Sequence, residues 1–193
     1  IKIENKCNFI DKIWENRPKI PKKNIKIHRE KYAGKSIKEK LKKTREKMKE
    51  KGANYYLLGA LDDIAWLYNI RGSDIENNPV VVSYAIVSQN NAWFFINKQK
   101  LTPEIKSYFE KFNIIIKNYN QISDFLANLN KKSTIFIDPN QINDFLYNSI
   151  ADSCYIIEDL DIVDKLKSVK NEVEINNLKN CQIRDGIAMV KFL

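Results

Sequence analysis

The densest collection of polar, chemistry-bearing side chains lies in one short loop, Arg71-Gly72-Ser73-Asp74-Ile75-Glu76-Asn77-Asn78-Pro79. It gathers a guanidinium, two carboxylates and two amides between stretches that both read as buried. Loops held this way on a rigid scaffold are where binding groups concentrate. The plainer reading is a turn, because Gly72, Asn77, Asn78 and Pro79 are ordinary turn-formers.

Elsewhere the chemistry is thin. His28 is the single histidine; it sits in a basic stretch and reads as a solvated loop residue. HExxH is absent, and one imidazole allows no pair at helical spacing. Asp62 and Asp63 are adjacent, and neighbouring helical positions diverge, so they read as charges complementing a helix start. Asp159, Asp161 and Asp164 have no partner histidine and read as solvated. No GxSxG occurs, and no histidine stands near Cys7, Cys154 or Cys181. Five glycines leave no GxGxxG or Walker-type phosphate loop. These residues do not make up a catalytic apparatus.

The charge is uneven. Residues 1–50 carry 18 Lys/Arg against 7 Asp/Glu, whereas residues 51–193 carry 15 against 17. The formal charge of +9 therefore belongs to the first quarter, mostly as lysines along one helix-like stretch. Nucleic-acid surfaces tend to mix arginine with aromatics; here Arg17, Arg29 and Arg45 are far apart. A solvated lysine face is expected, and no nucleic-acid partner. No apolar run reaches the length of a membrane span, so no membrane partner is expected either. Three widely spaced cysteines without a CxxC fit reduced thiols.

Positioning elements can be read from the pattern. Residues 18–35, rich in Pro and Lys, read as a linker. A helix follows over roughly 36–51, with Ser36 and Glu39 forming a capping box and Gly52 its stop. Tyr55–Leu58 reads as a strand, and Asp62 and Asp63 open the next helix, with Trp66 off its apolar stripe. Val80–Ser88 and Ala92–Asn97 read as a hairpin turning at Gln89-Asn90-Asn91. Helices then alternate with strands: helix 102–111, strand 114–117, helix 122–129, strand 134–137, helix 141–150, strand 154–157. A hairpin followed by such alternation predicts an α/β fold, a mixed central sheet with helices on its faces. From Asp164 the chain reads as one helix to Leu193, ending on an apolar turn, Met189-Val190-Lys191-Phe192-Leu193, with no capping signal. A chain that begins at Ile1 and ends on such a turn is expected to be an excerpt, or to dock that turn on another chain.

Three collinear strings carry a resemblance. Leu61–Val87, LDDIAWLYNIRGSDIENNPVVVSYAIV, closely resembles the corresponding stretch of eukaryotic Xaa-Pro aminopeptidases (aminopeptidase P), metallopeptidases of the pita-bread class. Upstream, Phe9–Pro18 (FIDKIWENRP) resembles the end of that family's first domain. Downstream, Val169–Ile175 (VKNEVEI) and Ile183–Ala188 (IRDGIA) look like the opening helix of its catalytic domain.

The resemblance implies a map. Residues 1–17 would be the tail of a preceding creatinase-like domain, 18–35 a linker, 36–163 a second creatinase-like α/β domain, and 164–193 the opening helix of the catalytic domain. It implies a metal-dependent enzyme that releases the first residue of short peptides with proline second. Its two divalent ions, usually manganese, would be held by residues beyond Leu193, and none of the metal ligands or catalytic residues would lie here. This portion would roof the cleft, with Arg71 facing it, Asp74 orienting Arg71 and Asn78 nearby; the rival is an Arg71–Asp74 salt bridge that only holds the turn. The implied partners are the remainder of the catalytic domain and a second copy in a homodimer, and the default location is cytoplasmic. Pita-bread relatives that have lost their metals and act as protein- or histone-binding modules stay open as the alternative.

Overall fold

The computed structural model describes residues 9–18 and 20–193. Cys7 and the first half of the segment expected to be a preceding domain's tail lie outside the described residues. Helices are α1 Phe9–Ile13, α2 Glu30–Ala33, α3 Ile37–Glu50, α4 Leu61–Leu67, α5 Pro103–Lys111, α6 Ile122–Ala127, α7 Asp144–Tyr147, α8 Ile162–Ser168 and α9 Glu172–Phe192. Strands are β1 Lys26–Ile27, β2 Tyr55–Leu58, β3 Ile70–Arg71, β4 Ser83–Ser88, β5 Ala92–Ile96, β6 Ile114–Asn118, β7 Thr134–Ile137 and β8 Tyr155–Glu158.

Six of these strands form a mixed sheet in the order β6-β5-β4-β2-β7-β8. The pairs β2–β4 and β4–β5 are antiparallel, and β5–β6, β2–β7 and β7–β8 are parallel. Both faces are covered, which is why the strands read as apolar runs. Period-two alternation deals their side chains to opposite sides. Tyr56, Leu58, Ala85, Val87, Phe94, Ile96 and Phe136 meet helices α3, α4, α5 and α8 on one face. Leu57, Ile86, Phe95, Ile135 and Ile137 meet α6 and α7 on the other.

Several local expectations change. Strand β4 begins at Ser83 rather than Val80, because the main-chain N–H of Val82 donates to the Asp74 carboxylate (2.7 Å) instead of joining a ladder. The helix read over 141–150 shrinks to α7, started by Asn143, whose side chain accepts from Leu146 N. The long terminal helix is two helices. Val169 is extended, and Asn171 opens α9 with a full capping box to Glu174. The supposed linker is partly built in: β1 pairs with β3, and Ile25 and Ala33 are buried. Among the described residues the asparagines with left-handed backbone are Asn69, Asn77 and Asn113. Among the described residues nothing covers the last apolar turn, where Phe192 is 85% and Leu193 95% exposed. Among the described residues no helix is long and apolar enough to cross a membrane.

Candidate functional site

A cavity of about 770 Å³ opens between α4, the loop after β3 and the first turns of α9. Its polar floor is assembled from distant segments. The short β1–β3 ladder, with Lys26 opposite Arg71, carries the basic stretch back so that His28 N donates to Asn69 O (2.7 Å). The imidazole, expected to be solvated, is instead half-buried on the cavity wall beside Tyr32. Burial, reinforced by Arg71 and Lys40, lowers its pKa to about 4.

Lys40 departs furthest from the expected solvated lysine face, being 1% exposed. It lies on the inner side of α3, where its ammonium donates to Trp66 O (2.9 Å) and Asn69 Oδ1 (2.7 Å). The same ammonium rests over the Trp66 ring, 4.1 Å from its centroid, a favourable cation–π placement. Burial lowers its pKa to about 8, against an opposing pull from Glu174.

Glu174 is the carboxylate common to this group, acting on His28, Lys40 and Arg71 alike. Its oxygens are already engaged: Trp66 Nε1 donates to Oε1 (3.2 Å) and Asn171 N to Oε2 (2.9 Å). The start of α9 is thereby fixed to the α/β domain, helped by Asn171 Nδ2 donating to Ala33 O (2.9 Å). Close approach there requires a glycine. Gly34 has φ +69°, and a β-carbon on it would sit 2.1 Å from Asn171 Oδ1.

Of the three residues expected to bind, Arg71 and Asn78 line the cavity and Asp74 does not. Arg71 Nη1 donates to Ile70 O (2.9 Å) and Ala65 O (3.4 Å), both main-chain carbonyls. The expected Arg71–Asp74 pair is replaced by another. Asp74 turns inward to the Lys100 ammonium in an ion pair whose side chains are 0% and 1% exposed. The physical reason is the fold of the loop. Gly72 N donates to Pro79 O (3.1 Å) and Asp74 N to Val80 O (3.3 Å), doubling the segment back so that Asp74 points at the 3-10 turn Lys98–Lys100.

Two other aspartate readings are corrected. Asp62 and Asp63 converge on one ammonium, with Lys167 Nζ 2.6 Å and 2.5 Å from them, clasping α4 to α8. Burial raises Asp63 to about 6 despite that partner. Asp161, expected in solvent, is 3% exposed. It accepts from Tyr56 Oη (2.6 Å) and starts α8 by accepting from Asp164 N (2.9 Å). Sequence reasoning missed His28, Lys40, Trp66 and Glu174 as members of one group. The available signals were an aromatic off the core stripe of α4 and the Asn171-x-x-Glu174 box.

The profile of the Creatinase/Prolidase N-terminal domain matches residues 16–174. The chain belongs to that family. Creatinase/prolidase N-terminal domains account for the mixed sheet and its two helical layers. Among proteins similar to the chain is Xaa-Pro aminopeptidase 1 of Dictyostelium discoideum, 38% identical over 96% of this chain and 30% of its own length. A probable Xaa-Pro aminopeptidase P of Aspergillus clavatus is 34% identical over 96% of this chain and 29% of its own length. The crystal structure of X-prolyl aminopeptidase from Caenorhabditis elegans, described as a cytosolic enzyme with a di-nuclear active site, superposes with a TM-score of 0.91. It is 28% identical and is matched over 96% of this chain and 31% of its own. The chain thus spans about 30% of the length of these relatives.

The described residues do not fit the di-nuclear centre named for the C. elegans enzyme. Among the described residues no three His, Cys, Asp or Glu side chains come together to hold a metal ion.

Proposed function

We propose that this chain is the non-catalytic N-terminal portion of a metal-dependent Xaa-Pro aminopeptidase. On this reading residues 1–17 end a preceding domain, 18–35 connect it, 36–163 form the second creatinase-like domain, and 164–193 open the catalytic domain. The observation that carries the proposal is the 0.91 TM-score over 96% of the chain, joined to relatives named as Xaa-Pro aminopeptidases. The exposed apolar face of α9 formed by Ile183, Ile187 and Val190 suits a helix that a further domain covers. Two divalent ions, manganese the expected pair, are assigned to residues outside this chain. A dimer through the catalytic domain and a cytoplasmic location complete the reading; of these, cytosolic location is described for the C. elegans enzyme.

The role assigned to the described residues is to shape the approach to the cleft. The X–Pro bond has no amide N–H, so its recognition must use other groups of the peptide. Arg71 presents a guanidinium fork and Asn78 a carboxamide on the cavity wall. Asp74 contributes by holding the loop from behind through Lys100, and so acts as a positioning residue. The test is release of the first amino acid from Ala-Pro-Ala by the full-length polypeptide supplied with manganese. Release supports the proposal. Intact peptide under those conditions contradicts it and favours a metal-free binding module.

A further inference from the structure

Among the residues lining the cavity, Arg71, Lys167, Lys170 and Arg184 outnumber the carboxylates Asp62 and Glu174. Among the described residues no ion pair includes Arg71, Lys40 or Arg184, although each lies at or beside this cavity. Lys167, also on the wall, is fully engaged by Asp62, Asp63 and Asp164. The remaining carboxylate, Glu174, has both oxygens occupied by Trp66 and Asn171. Arg71 uses only Nη1 on main-chain carbonyls, which leaves Nη2 and Nε of its fork uncommitted among the described residues. Glu174 attracts the half-buried guanidinium through space but makes no direct ion pair with it, so its uncommitted N–H groups favour an anion from outside. The walls beside it are apolar, built from Trp66, Pro79, Val80 and Leu178. Pockets of a few hundred Å³ with apolar walls and few convergent polar groups suit small ligands.

We propose that this cavity is a subsite for the free C-terminal carboxylate of a short peptide, gripped by Arg71 with Arg184 at the rim, its last apolar side chain lying against Trp66 and Pro79. Naming the ligand a peptide rests on the aminopeptidase reading; the anion preference rests on the cavity alone. The consequence is a length rule. A peptide must present its terminal carboxylate at a fixed distance from its scissile bond, so short free acids are favoured over amidated or long chains.

The test is calorimetric binding of Ala-Pro-Ala and of its C-terminal amide to the EDTA-treated full-length protein, where no turnover intervenes, followed by KM for both with metal restored. The acid is expected to bind about tenfold or more tightly than the amide, the scale of one charge-assisted contact. Arg71→Gln should abolish the difference between acid and amide, while Arg71→Lys keeps part of the preference. Arg184→Gln, on an exposed helix face, should narrow the difference without touching the core, and thermal melts confirm that each variant is folded. Equal affinity for acid and amide, or a preference that survives Arg71→Gln, overturns the subsite. Hydrolysis without acid preference sinks the subsite and spares the aminopeptidase reading; Arg71-dependent acid preference without hydrolysis does the reverse.

Discussion

Replacing Lys100 with methionine removes one half of a fully buried ion pair while nearly conserving volume. Among the described residues Asp74 then keeps only the Val82 N–H as a polar partner, in a site where its side chain is 1% exposed. Removing one member of a buried pair costs about 3–5 kcal/mol, because the other charge stays desolvated and uncompensated. A domain's whole stability is on the order of 5–15 kcal/mol, so the loss is severe. For a chain of this size it lowers Tm by roughly 6–20 °C. Adding Asp74→Asn should recover much of the loss: a neutral amide can still accept from Val82 N and leaves no buried charge. The measurement is a double-mutant cycle by urea unfolding, with a coupling of about 1–3 kcal/mol expected. A Lys100→Met penalty below about 1 kcal/mol, additive with Asp74→Asn, would show that the pair is solvated and does not hold the Arg71 loop.

Gly34→Ala forces an alanine into a left-handed conformation and pushes its β-carbon against the Asn171 cap; a cost of about 2–3 kcal/mol, with faster hydrogen exchange in the first turn of α9, is expected. His28 is held near 4 in the fold against an ordinary 6.5, so the unfolded chain takes up the proton and stability falls as pH drops from 6.5 towards 4. His28→Gln should flatten that acid limb in chemical denaturation. Lys40 is held near 8 against 10.5; the unfolded chain again binds the extra proton, so stability climbs between those pH values. Lys40→Met should abolish the climb, and a slope unchanged in either variant would contradict the burial argument.

What local pattern encodes was legible before the structure. The Ser36–Glu39 capping box is present as read, with Glu39 Oε2 accepting from Ser36 N (2.8 Å). The hairpin around Gln89 and the strand–helix alternation after it also follow from period and turn chemistry. What escaped depends on contacts far apart in sequence. Lys40 looks like any other lysine of α3 until Trp66 and Asn69 fold over it. Asp74 finds Lys100, 26 residues on, rather than the nearer Arg71. Asp161 is buried because Tyr56, 105 residues earlier, needs an acceptor. The break before α9 was visible in principle, since Asn171 and Glu174 spell a capping box, but the apolar periodicity on both sides masked it. Arg71 and Asn78 were picked out as candidates by residue type and by resemblance, whereas the polar floor beneath them needed the β1–β3 ladder to bring His28 back.

If bond cleavage belongs to polypeptide beyond this chain, manganese should not bind tightly here, and the described residues offer it no cluster of three ligands. A calorimetric titration of Mn²⁺ into the isolated chain and into the full-length protein measures this directly. No saturable uptake by the chain and two ions per full-length polypeptide is the predicted outcome. Stoichiometric, tight uptake by the isolated chain would contradict it.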